Sequence, residues 1–138
     1  MSAAMKTLHL TLKSEYFNQV LNGTKKEEYR DIKWHWIRRF FTYHGWNRDE
    51  CMSDELIDDL RTLPKNHNSF QELLEFFDFK IAKFDTITFK NGYSKNAPTM
   101  VVEFLGIDVG INIKTPLGTR NFFVIKLGKI LETRNLEC

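Results

Sequence analysis

Apolar and polar residues alternate with a period of two near the start of the chain and again over its last third. The first such stretch is LHLTL, residues 8–12, and it predicts a strand. From Phe84 onward the alternation returns in FDTITF, TMVVEFLGIDVGI and NFFVIKLGKIL, which are rich in β-branched and aromatic residues and are separated by Gly, Asn and Pro. These stretches predict three or more further strands.

Between these stretches the apolar spacing is that of helices. Ser14 is a predicted cap for a first helix, SEYFNQVLN, which ends at the following glycine. Asp31 is the predicted cap of a second helix, whose aromatic residues occupy nearly every side. Ser53 and Ser69 precede two more helical patterns, DELIDDLRTL and LLEFF, with Pro64 between them.

This order of elements predicts an α+β fold with a small mixed or antiparallel barrel-like sheet and flanking helices. The 138 residues, 42% of them hydrophobic, suit a single domain spanning residues 1–138. The chain opens without a secretory pattern and has no run of about 18 apolar residues, so we expect a cytoplasmic protein with no membrane association. Cys51 and Cys138 lack the spacing of a zinc site or a disulfide framework, and we expect no metal or cofactor.

The charge is distributed unevenly along the chain. Residues 1–48 hold nine Lys and Arg against four Asp and Glu, and residues 86–138 hold seven against four. Residues 49–85 hold four against ten. Basic outer segments in a chain with 14% aromatic residues suit a polyanion whose bases stack on rings, such as a nucleic acid. The acidic middle requires a separate explanation.

The segment GTKKEEYR, residues 23–30, places a lysine, a carboxylate and an arginine close together directly after a helix stop. In an extended chain Lys26, Glu28 and Arg30 share one face, while Lys25 lies in the turn itself and can reach either face. A lysine beside a carboxylate can contact a phosphate or take part in proton transfer. A structural ion network is the alternative for these charges.

The same segment resembles the G-x-K-x-x-E-x-R signature of the ASCH domain family, a branch of the PUA-like superfold. Gly23, Lys25, Glu28 and Arg30 stand at its four fixed positions. The preceding LHLTLKSEYFNQVLNG and the later strands with their N-G-Y loop look like bacterial and phage members. The resemblance covers residues 6–44 and 80–131 and makes the acidic stretch, about 45–79, an insertion.

The resemblance implies a small β-barrel with helices and a cleft for RNA or a modified nucleobase. Family members differ in activity: some bind RNA, some are ribonucleases, and one branch deacetylates N4-acetylcytidine with a lysine, a threonine three positions later and a distant glutamate. Here Glu28 occupies the threonine position, which counts against that chemistry. Glu103 is the candidate for the distant glutamate.

Three hypotheses for the function follow. The first is binding of RNA or a modified nucleotide, with phosphate contacts from Lys26, Arg30, Lys90 and Lys95 and base stacking on Trp34 or Tyr93. The second is hydrolysis of RNA or of a modified nucleoside, with or without a metal, by Lys25 and Glu28 as an acid-base pair. The third is a protein-binding module that uses the acidic insertion.

Overall fold

The computed structural model describes residues 6–43 and 54–136 and divides into two compact units. The first unit consists of the described residues within Met1–Glu28, Lys83–Gly106 and Ile125–Cys138. The second consists of those within Tyr29–Ala82 and Ile107–Val124. The predicted cap Ser53 and the two cysteines lie outside the described residues.

The described residues form four helices and seven strands, which confirms the α+β class. The helices are α1 Ser14–Leu21, α2 Trp34–Phe40, α3 Asp54–Arg61 and α4 Phe70–Phe77. The strands are β1 Thr7–Leu12, β2 Glu27–Asp31, β3 Phe41–Tyr43, β4 Phe79–Ile81, β5 Thr86–Asn91, β6 Thr99–Thr115 and β7 Gly118–Arg134. None of these described helices is long and apolar enough to cross a membrane.

The main sheet has the strand order β1-β5-β6-β7-β2. It is mixed, because β1 and β5 run parallel while β5 and β6 run antiparallel. Strands β1 and β2 stand at its two ends, so in the part of the chain that is described the sheet does not close into the predicted barrel. Strands β3 and β4 form a separate antiparallel pair.

The first unit is built on the predicted alternation of β1. Leu8, Leu10 and Leu12 are buried, and their neighbours across the sheet include the buried Ile87 and Phe89. Ser14 does not cap α1 as predicted: Lys13 is the N-cap, and the Ser14 hydroxyl instead donates to Asn91 Oδ1 at 3.0 Å. The serine therefore ties the start of α1 to the end of β5 rather than to the helix backbone.

The second unit has an aromatic core. The Phe123 ring lies 5.5 Å from the Phe40 ring and 5.6 Å from the Phe41 ring, centroid to centroid. Asp31 does not cap α2 as predicted, because it ends β2 and Lys33 is the N-cap. The strand β2 was missed because its sequence, EEYRD, has too few apolar residues to show alternation.

The acidic helices α3 and α4 fold within the second unit, as their spacing predicts. Leu56, Leu60 and Leu73 are almost fully buried. The Ser69 hydroxyl accepts a hydrogen bond from Glu72 N at 3.1 Å, which confirms the predicted cap of α4. Because these buried leucines already pack inside the unit, the amphipathic spacing of the insertion is explained without a protein partner.

One acidic residue of the insertion is buried rather than part of a charged surface. Asp59 is 6% exposed, accepts a hydrogen bond from Asn66 Nδ2 at 2.8 Å and contacts His67 Nε2 at 3.1 Å. The adjacent Asp58 is exposed. Asp59 therefore holds the turn after α3 in place, since a buried carboxylate needs hydrogen-bond partners.

We expect Asp59→Ala to lower the free energy of unfolding by about 1–3 kcal/mol, because it removes the acceptor of two part-buried hydrogen bonds, from Asn66 and His67. Asp58→Ala is the matched control on the same helix and should change it by less than about 0.5 kcal/mol. Urea unfolding followed by circular dichroism measures both. Equal effects of the two variants would contradict the structural role of Asp59.

Candidate functional site

The turn between α1 and β2 positions Lys25 and Lys26, the two lysines of the GTKKEEYR segment. Gly23 takes a φ of +84°, a conformation that favours glycine, and the amides of Thr24 and Lys25 both donate to Gln19 O at 3.0 Å. Leu127 N donates to Lys26 O at 3.0 Å, which joins the start of β2 to β7. The backbone at both lysines is therefore held at two points.

Lys25 and Glu28 form a close ion pair within the first unit. Lys25 Nζ lies 2.8 Å from Glu28 Oε1, and the side chains are 17% and 6% exposed. The same ammonium lies 4.6 Å from the centroid of the Tyr16 ring, in a cation–π arrangement. Lys25 is therefore largely shielded from water although it lies in a turn, and the pair is itself part of the packing.

A cavity of about 490 Å³ lies beside this turn in the first unit. Its charged lining comes from Lys25, Lys26, Glu103 and Lys129, and apolar side chains supply the remaining surface: Val20, Leu105, Leu127 and Ile130. Glu28 is not among the lining residues. The structure thus brings Lys25 together with Glu103 at one cavity, whereas the predicted acid-base partner Glu28 pairs with Lys25 but does not line the cavity.

Sequence reasoning named Glu103 only through the family resemblance and did not identify Lys129. The carboxylate of Glu103 is held on β7, because its Oε1 accepts a hydrogen bond from Lys129 N at 2.9 Å. These two residues are 26 positions apart in the chain. Each lies in an alternating strand pattern, so no local signal distinguishes them from their neighbours.

The end of β5 and the loop after it contain three of the predicted nucleic-acid contacts. Tyr93 is 90% exposed, Lys95 is exposed and Lys90 is half-buried. In the register of β5 and β6, Lys90 lies opposite Thr99 whereas Thr86 lies opposite Glu103. Four residues of strand separate these positions by about 13 Å, and none of Lys90, Tyr93 and Lys95 lines the cavity.

The other two predicted contacts, Arg30 and Trp34, belong to the second unit. Trp34 is half-buried. The Arg30 guanidinium lies 4.9 Å from the centroid of the Trp36 ring, and that of Arg39 lies 5.1 Å from the same ring. Burial lowers the pKa of Arg39, and the charge of Arg30 lowers it further. Trp36 therefore packs against two cations, and the sequence did not single out Arg39.

Within residues 6–43 and 54–136, no group of three or more His, Cys, Asp or Glu side chains is placed to hold a metal ion. The groups that line the cavity are lysine ammonium groups, a carboxylate and apolar side chains. Such a set can bind an anion and hydrogen-bond a polar group.

We expect a double-mutant cycle on Lys25→Ala and Glu28→Ala to give a coupling energy of about 0.5–3 kcal/mol in the free energy of unfolding, because both side chains are largely shielded from water. The control is the pair Arg120 and Asp31, whose Nη2 and Oδ1 are 3.0 Å apart but whose side chains are 54% and 47% exposed. Its coupling should be smaller, since solvent screens it. Chemical unfolding of the two sets of variants measures both energies, and a Lys25–Glu28 coupling no larger than the control would contradict a packing role.

Comparisons of the chain with protein-family models, with curated proteins and with solved structures found no match.

Proposed function

We propose that this protein is an ASCH-type, PUA-like domain that binds RNA or a modified nucleotide, and that it takes one nucleotide unit into the cavity of the first unit. The single observation that carries the proposal is the composition of that cavity, in which three lysines and one glutamate surround an apolar surface. Lysines bind phosphate as point charges, while apolar side chains cover a base or a ribose.

The size of the cavity supports a small ligand or a single nucleotide unit. Pockets for small molecules and cofactors range from about 300 to 1,000 Å³, and this one measures about 490 Å³. Lys26 and Lys129 are both exposed, so their ammonium groups are accessible to an incoming phosphate. Lys25 is held by Glu28 and contributes its charge from a fixed position.

The arrangement favours binding over the predicted acid-base chemistry of Lys25 and Glu28. Turnover by that pair needs both groups to face one enclosed point. Glu28 is 5% exposed and does not line the cavity. In the proposal it therefore holds Lys25 in place rather than taking a proton from a substrate.

Hydrolysis of a modified nucleoside is the second candidate, because Lys25 and Glu103 do line one cavity. In that case Glu103 takes the acid-base role that Glu28 was predicted to have. The threonine of the deacetylase branch is missing from this chain, since Glu28 stands in its place. Ribonuclease activity would be recognised by cleaved RNA, and simple binding by the absence of any product.

The PUA-like fold is part of the proposal. Support comes from the order β1, α1, β2, with the GTKKEEYR segment leading from α1 into β2, and from the mixed five-stranded sheet. An ASCH-type protein would carry its signature at this junction. Bacterial or phage origin and cytoplasmic location belong to the same proposal.

We expect the affinity for a short single-stranded RNA to fall as the salt concentration rises, because lysine contacts release counterions from phosphate. Lys26→Ala and Lys129→Ala should each weaken binding, and each should reduce the slope of log affinity against log salt by about 0.7. Lys114→Ala, an exposed lysine on β6 outside the cavity, is the matched control. Fluorescence anisotropy measures the affinities, and an affinity that does not change with salt concentration would contradict the proposal.

For the second candidate, we expect incubation with a panel of modified nucleosides, read by mass spectrometry, to reveal a product if the protein is a hydrolase. Lys25→Met and Glu103→Gln should each lower the rate by about a hundredfold or more, since both remove a group proposed for proton transfer. Asp108→Asn should leave it unchanged, because Asp108 lies outside the cavity lining. Binding without any product excludes the hydrolase candidate for that panel.

A further inference from the structure

We propose that Glu103 determines which base the cavity accepts, by taking a hydrogen bond from an N–H group of the ligand. This inference rests on the proposed nucleotide-binding function and goes beyond it. It predicts that a base with an amino group at the contacted position binds, and that its counterpart with a carbonyl group there is rejected. The contacts that carry it are those of Glu103, Gly128 and Lys129.

The Glu103 carboxylate has one oxygen committed to the protein. Oε1 accepts a hydrogen bond from the backbone amide of Lys129 at 2.9 Å, which fixes the Glu103 carboxylate to the neighbouring strand. A backbone donor in a strand cannot swing away as a side chain can. The orientation of this carboxylate is therefore set before a ligand arrives.

Gly128 is a positioning residue for the same carboxylate, because its missing side chain leaves the room that Glu103 occupies. A Cβ at position 128 would lie 2.8 Å from both Cβ and Oε1 of Glu103, and 3.2 Å from Leu105 Cδ2. Contacts of 2.8 Å between such atoms force a displacement. Glu103 Cβ is fixed to the strand backbone and cannot rotate away. An added Cβ would therefore displace the Glu103 carboxylate from its present position.

The second oxygen of Glu103 is the one available to a ligand. Within the two described ranges of the chain, Oε2 has no hydrogen-bond or ion-pair partner, and the side chain lines the cavity. An ionised carboxylate is an acceptor only. A ligand that displaces water from this oxygen must supply a donor, since a carbonyl there would set two acceptors against each other.

The lysines of the cavity define the rest of the ligand. Lys26 and Lys129 favour a negatively charged group, whereas Oε2 favours an N–H group, and the apolar side chains favour a ring or hydrocarbon surface. A nucleotide with an amino-bearing base combines these three features. The loss of a hydrogen bond to a charged acceptor corresponds to about tenfold or more in affinity.

The test uses nucleotide pairs in which an amino group of the base is replaced by a carbonyl group, while the adjacent ring nitrogen changes from an acceptor to an N–H donor. Cytidine and uridine monophosphates differ by amino against carbonyl at carbon 4, and adenosine and inosine monophosphates differ in the same way at carbon 6. We expect the full-length protein to bind the amino member of at least one pair about tenfold or more tightly, as measured by isothermal titration calorimetry. Equal affinities within both pairs overturn the inference but leave nucleotide binding standing, whereas no binding of any of the four overturns both.

Two variants locate the effect on Glu103. Glu103→Gln should reduce the discrimination, because an amide both donates and accepts, while Asp108→Asn on the same strand should preserve it. Gly128→Ala should reduce the discrimination with little change for the carbonyl member, which a general loss of the fold would not produce. If the alanine variant fails to fold, Glu103→Gln decides alone, and unchanged discrimination in that variant overturns the inference.

Discussion

Strands β6 and β7, each 17 residues long, contribute to both compact units, and the described structure depends on them. Their parts in the first unit line the cavity through Glu103, Leu105 and residues 127–130. Their parts in the second unit supply Phe123 to the aromatic core. Long strands hold their side chains at fixed spacing along the sheet, which positions the residues of each strand within each unit.

Asn121 shows how strongly β7 is tied to the second unit. This buried amide donates to Leu60 O at 3.0 Å and to Leu63 O at 3.2 Å, and its Oδ1 accepts a hydrogen bond from Asn112 N at 2.9 Å. The carbonyls at the end of α3 thereby gain partners that the helix cannot supply. The acidic insertion is thus fastened to β7 by hydrogen bonds as well as by its buried leucines.

The charged residues of the GTKKEEYR segment have separate roles rather than one shared role. Glu28 is buried and pairs with Lys25, which brings an ammonium group to the cavity edge. Lys26 lines the same cavity, while Arg30 lies in the second unit against Trp36. Strand alternation does not produce this separation, because it would place Lys26, Glu28 and Arg30 on one face. Lys26 instead precedes β2, which begins at Glu27. The ion pair of Lys25 with Glu28 and the proposed ligand-binding role of Lys26 thus occur within the same eight residues.

The sequence alone was sufficient for the α+β class, for β1 and the late strands, and for the end of α1 and the cap of α4, because periodicity and capping depend on residues a few positions apart. It also led to Lys25 and Lys26. It could not identify β2 as a strand or Asp59 as buried, since EEYRD and the acidic helix look solvent-exposed by composition. The pairing of Glu103 with Lys129, the room left by Gly128 and the attachment of Lys26 to Leu127 join residues 25 to 101 positions apart. Only the tertiary structure decided these contacts, because strand register brings distant residues together and leaves no trace in local spacing.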